Sequence, residues 1–152
     1  MIRMLVSAAL LLAACGGSGT AASNATVFIT SPAPGASVSL GSDALQSVAV
    51  GFTTSLTLKP GGTCAGAANC GHIHLVIDTY ASPCNGSAGN GSEKYNVEIT
   101  SGTSGNAQFA TCGSAAVGAH NITLELHDDS HNDLKDASGN LIKSTVSITT
   151  HL

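Results

Sequence analysis

The sequence predicts an all-β domain, a sandwich of seven to eight short antiparallel strands. Three observations point there. Apolar residues alternate with polar ones in a series of short segments, which is the period of a half-buried strand. Gly, Ser, Thr, Asn and Pro punctuate the intervals, as turns require. No stretch beyond the N-terminal apolar run repeats at 3.6 residues, so a substantial helix is not expected. The 152 residues suffice for one ordinary domain. Nine acidic residues face five Lys and Arg, so there is no basic patch for nucleic acid.

The elements follow in order. The first strand is 26–30, and the Pro-Gly bend Ser31-Pro32-Ala33-Pro34-Gly35-Ala36 leads to a short second piece, 37–40. Residues 47–53 put Val48, Val50 and Phe52 inward, and Leu56 and Leu58 extend that pattern. In 72–78, Ile73, Leu75 and Ile77 point inward while His72, His74, Val76 and Asp78 share the opposite face. A Gly/Ser/Asn-rich loop spans 79–92. Strands are expected at 95–99 and, more weakly, at 107–111, with a turn at 101–106. In 120–127, Ile122, Leu124 and Leu126 point inward, and Asn121, Thr123, Glu125 and His127 outward. A polar segment, 128–140, forms a turn or a short hairpin extension. The last strand, 143–150, buries Val146 and Ile148.

The N-terminus has one cation, Arg3, then an apolar run from Met4 to Ala14 that is too short for a stable bilayer span. The run ends in Leu12-Ala13-Ala14-Cys15-Gly16, which resembles the lipobox of bacterial lipoproteins. The resemblance implies a signal peptide (1–14), a lipidated Cys15 followed by a flexible tether (15–25), and a folded domain (26–152). It also implies a cell-envelope location, with the membrane as a partner through the lipid anchor. Gly16 rather than Asp resembles the outer-membrane sorting class, facing the periplasm or the cell surface. The alternative is an ordinary secretory signal cut near Thr20-Ala21-Ala22. Sequons at Asn24, Asn85, Asn90 and Asn121 read as incidental to a Ser/Thr/Asn-rich composition.

Apart from Cys15, an even set remains: Cys64, Cys70, Cys84 and Cys112. In an exported chain this reads as two disulfides. Four cysteines allow three pairings, and we favour Cys64–Cys70 and Cys84–Cys112, which brace both ends of the 72–78 strand. Thiolate ligation is disfavoured because no Cys-x-x-Cys occurs.

The phrase Ile29-Thr30-Ser31-Pro32-Ala33-Pro34-Gly35 and the strand succession resemble bacterial immunoglobulin-like modules, without the Trp or the central disulfide of antibody domains. That resemblance implies strands A (26–30), B (47–53), C (72–78), D (95–99), E (107–111), F (120–127) and G (143–150), with C and F antiparallel neighbours. His72 and His74 would then meet His127 and Glu125 on one solvent-facing surface, with His131, Asp128 and Asp129 at the same end. Cross-strand partners sit about 4.5–5.5 Å apart. His120 and His151 would fall at the other end.

Imidazoles in this number suit Cu or Zn. The His-x-His pair is similar to the copper strand of Cu/Zn superoxide dismutase over three residues, with no activity implied. The alternative is a set of surface imidazoles bonded to water. The acidic loop 128–136 does not follow the EF-hand pattern and reads as a solvated turn rather than a Ca²⁺ site. No nucleophile elbow, phosphate loop or His-Glu-x-x-His motif is present. The leading expectation is therefore a lipid-anchored, non-enzymatic binding or structural module with a possible protein partner in the envelope. The alternatives are a periplasmic copper- or zinc-binding protein using His72, His74, His127 and His131, and a metal-dependent enzyme on the same cluster.

Overall fold

A computed structural model describes residues 23–88 and 93–152. The signal peptide, Cys15, most of the tether and Asn90 lie outside the described residues. The strands are β1 (Val27–Ser31), β2 (Ala36–Ser39), β3 (Ser47–Thr54), β4 (Thr57–Leu58), β5 (Cys70–Ile77), β6 (Ser87–Ala88), β7 (Lys94–Tyr95), β8 (Val97–Ile99), β9 (Ser104–Gln108), β10 (Gly118–Asp128) and β11 (Lys143–His151). One sheet has the order β1-β3-β9. The other runs β2-β11-β10-β5-β4, with β8 also paired to β5, and β6-β7 form a small ribbon.

In immunoglobulin lettering these are A-B-E against G-F-C, with the second piece of strand A crossing to strand G. The protein is an immunoglobulin-like β-sandwich. The Pro-Gly bend makes that crossing: β2 pairs parallel with β11 after β1 has paired antiparallel with β3. Every aliphatic read as inward on 47–53, 72–78, 120–127 and 143–150 is buried in the shared core, with Phe109.

Four details differ from the sequence reading. Leu58 does not extend β3. It lies in β4, which has changed sheets and runs parallel to β5. The 95–99 strand breaks at Asn96, whose Nδ2 donates to Cys84 O (2.5 Å) and Gln108 O (2.9 Å) while its Oδ1 accepts from Gln108 N–H (2.7 Å). These bonds turn Lys94–Tyr95 away and leave Val97–Ile99 to pair with β5. The 107–111 strand starts early, at Ser104, and gives way to a 3-10 segment, Ala110–Ala116. There Cys112 is drawn to Cys84, and Thr111 Oγ1 donates to Cys84 O (2.9 Å). Finally, the domain begins before residue 26: Ser23 N–H donates to Lys135 O (2.9 Å) and Ala25 is buried.

Both favoured disulfides form, Cys64–Cys70 and Cys84–Cys112. Asn85, next to the second, is buried and finishes β5 with its side chain. Its Oδ1 accepts from Ile77 N–H (3.0 Å) and its Nδ2 donates to the carbonyls of Ile77 (2.9 Å) and Thr79 (2.8 Å). A glycan on Nδ2 would remove one of its two donated protons and would have to be housed at a buried position.

Candidate metal centre

Strands β5 and β10 are antiparallel neighbours, with His72 opposite His127 and His74 opposite Glu125. Strand alternation puts these four side chains on the face away from the core. Gly71 permits the close approach: a Cβ there would collide with the His127 carbonyl oxygen and lie 3.3 Å from Asp128 Cα. His131 arrives from the loop after β10, at φ 63°, where Gly61 leaves room for its ring.

The four rings cluster. Centroids are 4.9 Å apart for His72–His74, 3.9 Å for His74–His127, 4.3 Å for His72–His131 and 5.9 Å for His72–His127. One ligand nitrogen from each of His72, His74 and His131 lies within 4.8 Å of the others. His127 does not join that tight set; its nitrogen is grouped with Glu93 and Asp133. His120 and His151 stay apart, as expected. His120 Nδ1 meets Asp78 Oδ2 (2.9 Å), and His151 Nδ1 meets Ser37 Oγ (3.3 Å).

The expectation of a solvent-facing surface is corrected. His72 is 0%, His74 2% and His127 1% exposed, and Glu125 is buried too. Loops cover this face. Tyr95 stacks on His74 at 3.9 Å, Tyr80 donates its hydroxyl proton to Glu125 Oε2 (2.8 Å), and His131 lies over His72.

Burial creates a polar deficit. Both ring nitrogens of His72, both of His127 and Nε2 of His74 are buried and make no hydrogen bond within the described residues. A buried polar group without a partner costs about 1–3 kcal/mol. Five such atoms represent a large fraction of a domain's ordinary stability of about 5–15 kcal/mol. Coordination to a cation would compensate the atoms facing it.

Burial also keeps the rings unprotonated. Desolvation lowers the His72 pKa to about 4, with Glu98 opposing; it lowers His74 to about 2, with the neighbouring histidines adding to the effect. Desolvation lowers His127 as well, opposed by Asp133 and by the nearby His131 backbone. These are neutral imidazoles, the form that binds metal.

The sign for folding follows. The unfolded chain takes up protons at these positions near pH 6.5, whereas folded His72 waits until about pH 4. Metal-free protein should therefore lose stability as pH falls from 6.5 toward 4, and gain nothing from these groups above 6.5. Burial raises Glu125 and Glu93, which works in the opposite sense, so the histidine share is read by difference. Urea unfolding with chelator at pH 7, 6 and 5 should show a slope of about 1 kcal/mol per pH unit or more for wild type. A His72→Asn/His74→Asn variant should be flatter; equal slopes would contradict the assignment.

Sequence reasoning missed Tyr80, Glu93, Tyr95, Glu98 and Asp133. Glu98 lies opposite His74 on β8, 3.9 Å from His131 Nε2. Its position becomes readable only once β8 is known to border β5. The acidic loop is made of self-capped turns. Asp128 accepts from Ser130 and Asn132, Asp136 from Ser138 and Asn140, and Asp129 from Cys64 N–H. These bonds favour the turn reading over a calcium loop.

No family model matches the sequence, and no curated protein matches it. A solved structure described as fibronectin(III)-like modules of Clostridium thermocellum CbhA is similar over 82% of this chain and 95% of that one, at 11% identity and a TM-score of 0.43. The sandwich assignment above rests on the strand order itself.

Proposed function

We propose that the protein is a non-enzymatic binding module of the bacterial envelope, anchored through Cys15, whose ligand is a copper or zinc ion held by the His72, His74 and His131 imidazoles with His127 alongside. The observation that carries this reading is the set of buried imidazole nitrogens without hydrogen-bond partners, five of which lie in one cluster on His72, His74 and His127 while the sixth, His120 Nε2, lies apart. Three neutral imidazoles suit Cu(II) and Zn(II), with water or a nearby side chain completing the shell. Tetrahedral ligands 2.0–2.1 Å from an ion lie roughly 3.4 Å apart, so nitrogens within 4.8 Å need only a small closure. His131, 33% exposed on a loop, is the natural point of entry. Near-complete burial of the other ligands leaves little space for a substrate, which favours buffering, delivery or sensing over catalysis.

The reading is tested on the full chain, expressed with its leader and recovered from membranes in detergent. Labelled palmitate should be incorporated and then lost in Cys15→Ser. Calorimetric titration with Cu(II) and Zn(II) should show saturable binding, weakened at least 100-fold in His72→Asn/His74→Asn. Equally weak binding by both proteins would end the metal proposal, and palmitate retained in Cys15→Ser would end the anchor.

A further inference from the structure

His127 is close to the other histidines in sequence register but faces a different donor set. Its ring packs against His74, yet its ligand nitrogen groups with carboxylate oxygens of Glu93 and Asp133, all within 4.8 Å of one another. Asp133 is the bridge partner of His127 across the end of β10, and Glu93 comes from the segment before β7. Both ring nitrogens of His127 are buried and reach no partner at good hydrogen-bonding geometry, although the His131 backbone is near enough to favour the protonated ring. Nδ1 lies 3.7 Å from Asp133 Oδ1, too far for a hydrogen bond but suitable for two ligands of one ion. The other side of Asp133 has Lys135 Nζ at 3.9 Å, which partly balances the two acids.

Resting on the metal-binding reading above, we propose that Glu93, His127 and Asp133 form a second divalent-cation site beside the three-histidine site, making the centre dinuclear. The two sites differ in chemistry. The first offers neutral nitrogens and leaves the ion's charge uncompensated by its ligands. The second offers one nitrogen and two carboxylates, which neutralise a divalent ion, and this set suits Zn(II). His127 is then a ligand of the second ion rather than the fourth ligand of the first, and the contact between the His74 and His127 rings couples the two.

Zinc content decides it. The full chain is loaded with Zn(II), dialysed and assayed by elemental analysis. Wild type should retain two ions per chain; Glu93→Gln/Asp133→Asn should retain one, and His72→Asn/His131→Asn should retain one. His127→Asn should lose the second ion and keep the first. Glu93→Gln alone, outside the long strands, should show the same loss if the double variant does not fold. A wild type holding one ion, unchanged by the acid substitutions, would overturn the second site and leave the first standing. A wild type holding one ion that is lost in His127→Asn would make His127 part of one four-histidine centre, with the same consequence. A wild type that retains no zinc overturns both readings.

Discussion

The His74→Leu protein should be at least as stable as metal-free wild type and should lose the stabilisation that metal at the three-histidine site confers. His74 is almost fully buried, its Nε2 has no hydrogen-bond partner, and its ring stacks on Tyr95 and packs at a tilt against His127. In the absence of metal, leucine replaces an unsatisfied polar atom with an apolar group of roughly similar size, a change that removes a penalty of about 1–3 kcal/mol. In the presence of metal the balance reverses. A ligand at a hundred times its dissociation constant stabilises the folded state by about 2.7 kcal/mol. For a domain of this size that raises Tm by about 10 °C. Wild type should therefore show that rise with Zn(II), and His74→Leu should lose the share contributed by the three-histidine site and keep at most the smaller rise from the Glu93–His127–Asp133 site. A histidine kept for packing or solvation would give a different pattern: the leucine variant would be destabilised, and metal would shift neither protein. Melting curves with chelator and with Zn(II) distinguish the two, and stability traded for a binding site is a familiar arrangement.

Gly71→Ala is expected to damage both the fold and the site. The position has no unusual backbone angle to preserve; the difficulty is space. The atoms nearest an added Cβ are the His127 carbonyl oxygen and carbon and Asp128 Cα, all backbone, so no rotamer change can relieve the clash. β5 and β10 would have to part where Gly71 faces Asp128 and His72 faces His127. A cost of about 2–4 kcal/mol is expected from overpacking of this kind, read as a lowered urea midpoint. Metal affinity should fall with it. Gly61→Ala is the informative contrast, because its new Cβ meets only the His131 ring, the end of a side chain that can swing away. It should spare stability and weaken metal binding. Equal stability of Gly71→Ala and wild type would show that the strands can separate at this point without cost.

Much of the fold was legible because period-two alternation is unambiguous where one face is apolar. Ile73, Leu75 and Ile77, with Ile122, Leu124 and Leu126, identified two central strands, and the strand succession placed them together. The covered outer face was not legible. Alternation assigns His72 and His74 to the face away from the core but does not say whether water or a loop lies on it. The cover comes from Tyr80, Glu93, Tyr95, His131 and Asp133, side chains on loops and two-residue strands that carry no periodic signal. The break at Asn96 was equally hidden, since it depends on hydrogen bonds to Cys84 and Gln108, residues 12 positions away on either side. The acidic loop was read as a turn, which describes Asp128 and Asp136 but passes over Asp133, whose significance lies in being opposite His127.

X-ray absorption at the zinc edge of the loaded full chain tests the metal assignment most directly. A first shell containing nitrogen at 2.0–2.1 Å is expected, with outer-shell scattering from at least three imidazole rings that is lost in His72→Asn/His74→Asn. An oxygen-only shell without ring scattering, or a spectrum unchanged in that variant, would contradict the assignment of these buried histidines as metal ligands.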